Sequence, residues 1–266
     1  MAATRYYEQS RLLPGHENRY TSFIQLQGVA PMSQITVVDS GRNNTVSLPE
    51  GFEIIKNSQI RIEGDNNEIT IGEHCQFDGL TIRIEGNGNK LSIGNSVVAT
   101  GMLSLIGKGT IIVGDYTTIG RCTMTAFKGA ITIGRDCMFA NGIEIRTTDS
   151  HPVFDLVTRE RINEERDVVI EDYVWCGMRV TLMKGSKISQ SSVVALGSIV
   201  TKQFSKPFCL IGGYPAKVLR NNVTWTRRTN REVLEDDPIA MMYTQDWNDA
   251  DADPSQENIY DLIRRA

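Results

Sequence analysis

The sequence predicts an all-β chain wound as a parallel β-helix. Three observations predict it: a near-duplicate segment 22 residues on, an apolar-glycine beat that continues beyond it, and a six-residue apolar period further downstream. The duplicate runs from Ile62-Glu63-Gly64-Asp65-Asn66-Asn67-Glu68-Ile69-Thr70-Ile71-Gly72 to Ile84-Glu85-Gly86-Asn87-Gly88-Asn89-Lys90-Leu91-Ser92-Ile93-Gly94. Val113-Gly114 and Ile133-Gly134 carry the beat onward, and Gly41–Leu48 holds a degraded earlier copy. Ile133, Phe139, Ile145 and His151 are then six apart, as are Ile170, Cys176, Leu182, Ile188, Val194 and Val200.

Each segment is about five residues, β-branched and broken by glycine, which specifies strands rather than helices. A strand this short cannot cover its own inward face. Stacked coils bury those faces as one column, with backbone hydrogen bonds running from coil to coil. Glycine and asparagine supply the corner conformations that other residues resist. Three sides of six residues give an 18-residue coil, and the 20–22-residue spacing upstream implies looser or bulged corners. Between Ile35 and Phe204 there is room for eight or nine coils.

The element order follows. Residues 1–34 give no clear element. The solenoid is expected over 35–222, interrupted by a charged loop at 152–168. An acidic tail, 223–266, is expected to hold one short helix, Pro254–Arg265, after an N-cap at Asp253.

Net charge is -4, but residues 232–266 alone carry -8 and residues 1–231 carry +4. This argues against a nucleic-acid-coating protein and leaves a mildly cationic body able to receive an anionic ligand. Five cysteines (75, 122, 137, 176 and 209) form no Cys-x-x-Cys pair, so reduced, buried thiols are expected in a cytoplasmic protein, with no metal site. No apolar run approaches bilayer-spanning length, and direct membrane insertion is not expected.

Chemistry gathers at four stretches in order: Thr147–Asp155, Asp172–Gly177, Val194–Lys202 and Ile211–Lys217. Together they resemble the signatures of the hexapeptide-repeat acyltransferases, left-handed β-helix enzymes. The resemblance is close over 130–220 and loose upstream. The run from Gly134 to Asn163 most resembles bacterial capsular polysaccharide and polysialic acid O-acetyltransferases. The left hand of the solenoid rests on this resemblance, because ordinary parallel crossovers are right-handed.

The resemblance implies acetyl-CoA as acyl donor, a carbohydrate hydroxyl as acceptor, and a homotrimer with active sites between adjacent solenoids. His151 is the expected general base, since imidazole suits proton transfer near neutral pH. It stands at a six-step position where an apolar residue would point inward. Asp149, two residues earlier, would share its face on a strand and orient the ring, with Asp155 as rival. Each aspartate could equally cap a turn. The resemblance places Trp175 beside the reaction centre, and an N–H there can donate to a developing oxyanion.

Gly177, Ala195, Gly197 and Ser198 are small enough for a pantetheine arm to lie along the coils, and the family pattern adds Met178, Leu196 and Thr201. Small residues also suit tight corners. Lys202, Lys217 and Arg220 are the expected phosphate partners. The basic residues Arg159, Arg161 and Arg166 favour an anionic glycan. His16 and His74 receive no role. Cys176 and Met178 depart from the commoner pattern, and no acceptor-binding asparagine is placed upstream.

Two other readings are open from sequence: N-acetylation of an amino sugar or O-acetylation of a small molecule such as serine or an antibiotic, and a non-catalytic carbohydrate-binding scaffold. A hydroxylamine-labile ester separates the first from a stable amide. Absence of thioester consumption marks the second.

Overall fold

The computed structural model describes residues 20–24, 34–49 and 52–227. The chain divides into two units, Met1–Trp225 and Thr226–Ala266. Of the second, only Thr226 and Arg227 are described, so the expected helix Pro254–Arg265 lies outside the described residues. Val223–Trp225, assigned to the tail from sequence, belong to the first unit, and the Val223 N–H donates to the Phe208 carbonyl at 3.0 Å.

Strands of the first unit stack in parallel on three faces. The first face is an eight-stranded sheet from Thr45–Ser47 to Gln203–Phe204, which sets the number of coils among the described residues at eight. The second face includes Met138–Phe139, Trp175–Cys176, Val193–Val194 and Cys209–Gly213. The third includes Ile143–Arg146, Thr181–Leu182 and Ile199–Val200. In the earlier coils one long strand, such as Gln76–Glu85, bends across the second and third faces. The six-step residues Ile170, Cys176, Leu182, Ile188, Val194 and Val200 all point into the column at 1% exposure or less. Burying each such aliphatic side chain contributes about 1.5–3 kcal/mol, and the stacked coils sum these terms.

Two sources lengthen the early coils. Their third face turns three residues inward (Leu80, Ile82, Ile84), against two (Val180, Leu182) in the later coils. Their third corner is held by a buried asparagine ladder. Asn67 and Asn89 donate from Nδ2 to the Oδ1 of Asn44 (3.0 Å) and Asn67 (2.9 Å), and the Gly109 N–H donates to Asn89 Oδ1 at 2.8 Å. The looser corner was expected; the longer face was not. At Gly101, φ is +110°, and a Cβ would fall 2.1 Å from the Cys122 carbonyl oxygen, so only glycine fits there.

All five cysteines are free and buried, and burial pushes the thiols of Cys122 and Cys176 well up. The ends of the column differ. Tyr20–Ile24 pairs antiparallel with Ile35–Asp39, and Ala216–Asn221 turns back antiparallel on Cys209–Gly213. Among the described residues no helix is long and apolar enough to cross a membrane.

Candidate active site

The column's register skips the charged insertion. Val168 pairs with Ile131 and Ile170 with Ile133, 37 residues on, where the coil before pairs at 20. The six-step phase therefore ends at Ile145. Thr147 still points inward, and its N–H donates to Thr125 O at 3.1 Å. Closing the gap, the Arg166 N–H donates to the Thr147 carbonyl at 3.1 Å, and residues 148–165 project as an arm from the corner between the third and first faces. His151 stands exposed on this arm, so the six-step position at which an apolar residue would point inward lies outside the column here.

The arm is an ordered hairpin. Phe154 bridges Arg161 antiparallel, and the Ile162 N–H donates to Val153 O at 2.9 Å. Arg161 grips the Glu165 carboxylate with both terminal nitrogens at 2.6 and 3.1 Å, a bidentate pair that holds the Glu165 carboxyl below the usual range. The tip is apolar and outward: Leu156 is 95% exposed and Val157 91%.

Segment 147–150 is a bend rather than a strand, so Asp149 and His151 do not share a strand face. The Asp149 carboxylate instead accepts from Lys184 Nζ at 2.6 Å and from Asn163 Nδ2 at 2.9 Å. The Lys184 ammonium is the main cause holding that carboxyl below the usual range, with partial burial opposing and Asn163 adding to it. Asp155, the rival orienter, caps the turn by accepting from the Val157 and Thr158 N–H groups, both at 2.8 Å. Among the described residues the His151 ring has no hydrogen-bond partner.

Trp175 lies on the second face, across the column from the arm. Its neighbour Cys176 points inward, while the indole is half-buried outside. The Trp225 ring lies 6.0 Å away, tilted 41°, and itself stacks on Tyr173 at 4.6 Å. Within one chain, His151 and Trp175 are thus not brought together.

The expected coenzyme residues divide between two edges. Gly177, Met178, Ala195, Leu196, Gly197 and Ser198 line the corner between the second and third faces. There Met178 O accepts from the Gly197 N–H at 2.8 Å, and Ser198 Oγ donates to Ala195 O at 2.6 Å. Leu196 and Met178 are exposed, leaving an apolar lip beside small residues. Thr201 and Lys202 occupy the next corner, the one that carries the arm two coils earlier. Coils in a parallel sheet lie about 4.8 Å apart, which puts this corner roughly 10 Å along the axis from the arm's base.

Lys202, Lys206 and Lys217 line one open cleft of about 320 Å³ with Gln203, Phe204, Ser205 and Val218. Arg220 is exposed on the terminal strand opposite Leu210. Sequence reading missed four residues here: Lys206, Trp225, Asn163 and Lys184. Lys206 follows the last repeat and Trp225 lies beyond it. Asn163 and Lys184 are ordinary polar residues in sequence, with no signal until the fold brings them to the arm.

No protein-family model matches the sequence. Comparison with characterised proteins is decisive: the chain is 38% identical over 202 residues to a polysialic acid O-acetyltransferase of Neisseria meningitidis, covering 75% of this chain and 94% of that protein. This chain belongs to the hexapeptide-repeat acetyltransferase family. A second polysialic acid O-acetyltransferase, from Escherichia coli O1:K1, is 37% identical over 134 residues, half of this chain and 43% of that longer protein. The solved structure of the polysialic acid O-acetyltransferase OatWY matches with a TM-score of 0.70 at 35% identity, over 76% of this chain and 98% of that one. The polySia-specific acetyltransferase NeuO matches at 0.68 and 32% identity, over 79% and 89%. The left-handed parallel β-helix expected from the motifs is the fold of this family, and the chain is an acetyl-transferring enzyme.

Proposed function

We propose that this enzyme moves an acetyl group from acetyl-CoA to a hydroxyl of an anionic capsular or other surface polysaccharide, with His151 as base. The observation that carries the reading is positional. An exposed imidazole stands on a pinned arm, on the same edge of the column as a cleft walled by Lys202, Lys206 and Lys217. A solvent-facing imidazole can meet an acceptor hydroxyl, and three ammonium groups suit the phosphates of a coenzyme. The polysialic acid acetyltransferases it resembles act on a polymer of the same charge class.

In the reaction, the acceptor hydroxyl gives its proton to His151 as its oxygen attacks the thioester carbonyl. The tetrahedral oxyanion is met by the indole N–H of Trp175, since the Trp175 backbone N–H donates to the Ser192 carbonyl at 3.0 Å. The C–S bond then breaks, and the departing sulfur takes the proton back from the imidazolium, releasing coenzyme A as thiol. Gly177, Met178, Ala195, Leu196, Gly197, Ser198 and Thr201 flank the pantetheine, and Lys217 with Lys202 and Arg220 receives phosphate. Asp149 acts through the arm rather than on the ring.

The separation of His151 from Trp175 favours a composite site. Arm and tryptophan leave different sides of one column, so a homotrimer in which the arm of one subunit faces the second face of the next unites them. The apolar arm tip, Leu156 and Val157, is suited to such burial. The location proposed is cytoplasmic, where acetyl-CoA is made.

The test is thiol release from acetyl-CoA against a panel of sialylated and neutral glycans, followed by hydroxylamine treatment of the product. A labile ester on an acidic polysaccharide is the expected result. A hydroxylamine-stable amide on an amino sugar, or no thioester consumption with any acceptor, overturns it. Light scattering at three times the protomer mass checks the assembly.

A further inference from the structure

His151 has no strand partner to hold its backbone, yet three hydrogen bonds of one side chain converge around it. Asn163, on the returning limb of the arm, donates from Nδ2 to the His151 carbonyl and to Asp149 Oδ2, both at 2.9 Å. Its Oδ1 accepts from the Val153 N–H at 2.7 Å. One amide therefore fixes residues 149, 151 and 153 together.

The clip is anchored from outside the arm. Lys184 Nζ donates to the Asn163 carbonyl at 2.7 Å and pairs with Asp149 Oδ2 at 2.6 Å. This lysine follows the strand Thr181–Leu182, which pairs with Glu144–Ile145 immediately before the arm. Its side chain is only 10% exposed. Both its partners belong to the arm, while the column closes around it without the ammonium: the Met183 N–H donates to Val200 O and the Gly185 N–H to Asp167 O, both at 2.9 Å. A lysine that served only the column would have its partners there.

We propose that Lys184 and Asn163 are positioning residues of the acetyl transfer, joining the arm that carries His151 to the rigid column so that the imidazole is held at a fixed height beside the cleft. The proposal rests on reading His151 as the base. Neither residue touches the reacting atoms, so removing either should displace the base without loosening the coenzyme site.

The experiment compares Lys184→Met and Asn163→Ala with the intact protein, by steady-state kinetics in acetyl-CoA and by thermal unfolding. Misplacing a catalytic group by about 1 Å costs up to about 100-fold, so kcat is expected to fall on the order of 10–100-fold in each variant, with KM for acetyl-CoA within about twofold. Because both act through one clip, the double variant should lose little more than the worse single variant. Lys184→Cys alkylated with 2-bromoethylamine regains an ammonium at nearly lysine's reach, and activity should return. The native thiols are all buried and are spared.

Wild-type kcat in either single variant overturns the proposal, as do fully additive losses. So does a fall in kcat that only tracks a lowered melting temperature. Should Lys184→Met fail to fold, Asn163→Ala keeps the question open to decision, since its side chain lies on the arm. His151→Ala is measured beside them. If it keeps full activity, the base reading falls; if it is inactive while both clip variants are wild-type, the base stands and positioning alone is refuted.

Discussion

Tyr173 and Trp225 exchange hydrogen bonds. The Tyr173 hydroxyl donates to the Trp225 carbonyl at 3.0 Å, and Trp225 Nε1 donates back to the Tyr173 carbonyl at 2.9 Å, with the two rings stacked between. The pair ties the last described segment to the turn that precedes Trp175. Trp225→Ala removes the indole's bond and a nearly fully buried ring, leaving only the main-chain carbonyl to accept from Tyr173, and large-to-small changes of this kind cost about 3–5 kcal/mol. A melting temperature lowered by several degrees, with Trp175 fluorescence shifted red as its cover is lost, is the expected result. An unshifted melting temperature would mean that the pair contributes nothing to the column.

His151→Ala should lower kcat by at least about 100-fold, since positioned general bases contribute 10²–10⁴-fold. Acetyl-CoA affinity should stay near that of the intact protein, because the cleft of Lys202, Lys206 and Lys217 does not include the arm. Isothermal titration with a non-hydrolysable acetyl-CoA analogue separates the two effects.

Lys217→Ala should weaken acetyl-CoA binding several-fold, most at low ionic strength, where the lost attraction is least screened. Lys206→Ala should behave the same way if the cleft acts as a unit. Measuring KM for acetyl-CoA at two salt concentrations checks both; a salt-independent KM in the variants would remove the cleft from the coenzyme site.

The arm should loosen in acid before the column does. Lys184 holds the Asp149 carboxyl below its ordinary range, and Arg161 does the same for Glu165. A carboxylate whose folded value is depressed stabilises the fold fully above its unfolded value, about 4, and loses that contribution as pH falls through the lower folded value. Proteolysis at the arm should therefore appear below about pH 4, while the far-ultraviolet signal of the strands persists. Asp149→Asn should abolish Asp149's share of this dependence.

The column was legible because its code is local. Ile170, Cys176, Leu182, Ile188, Val194 and Val200 show a period that only stacked three-sided coils satisfy, and all six are buried. The same rule does not govern His151. A period cannot announce where the chain leaves the column: one step past Ile145, where an apolar residue would point inward, His151 stands in solvent. The partner of Asp149 was likewise hidden. Lys184 lies 35 positions away in sequence and meets the carboxylate only because one coil separates them in space. Long-range polar contacts of this sort leave no periodic trace, whereas inward aliphatic residues do.

The skipped register at Ile131 and Val168 has a consequence for how such enzymes diversify. Since the ladder closes beneath the arm, the length of its outer part is uncoupled from the winding of the barrel-like stem, and only the base, at Asp149 and Asn163, is tied to it through Lys184. Selection can therefore lengthen or recolour the tip around Leu156 and Val157 while the polar contacts at the arm's base and the folding of the stem stay as they were.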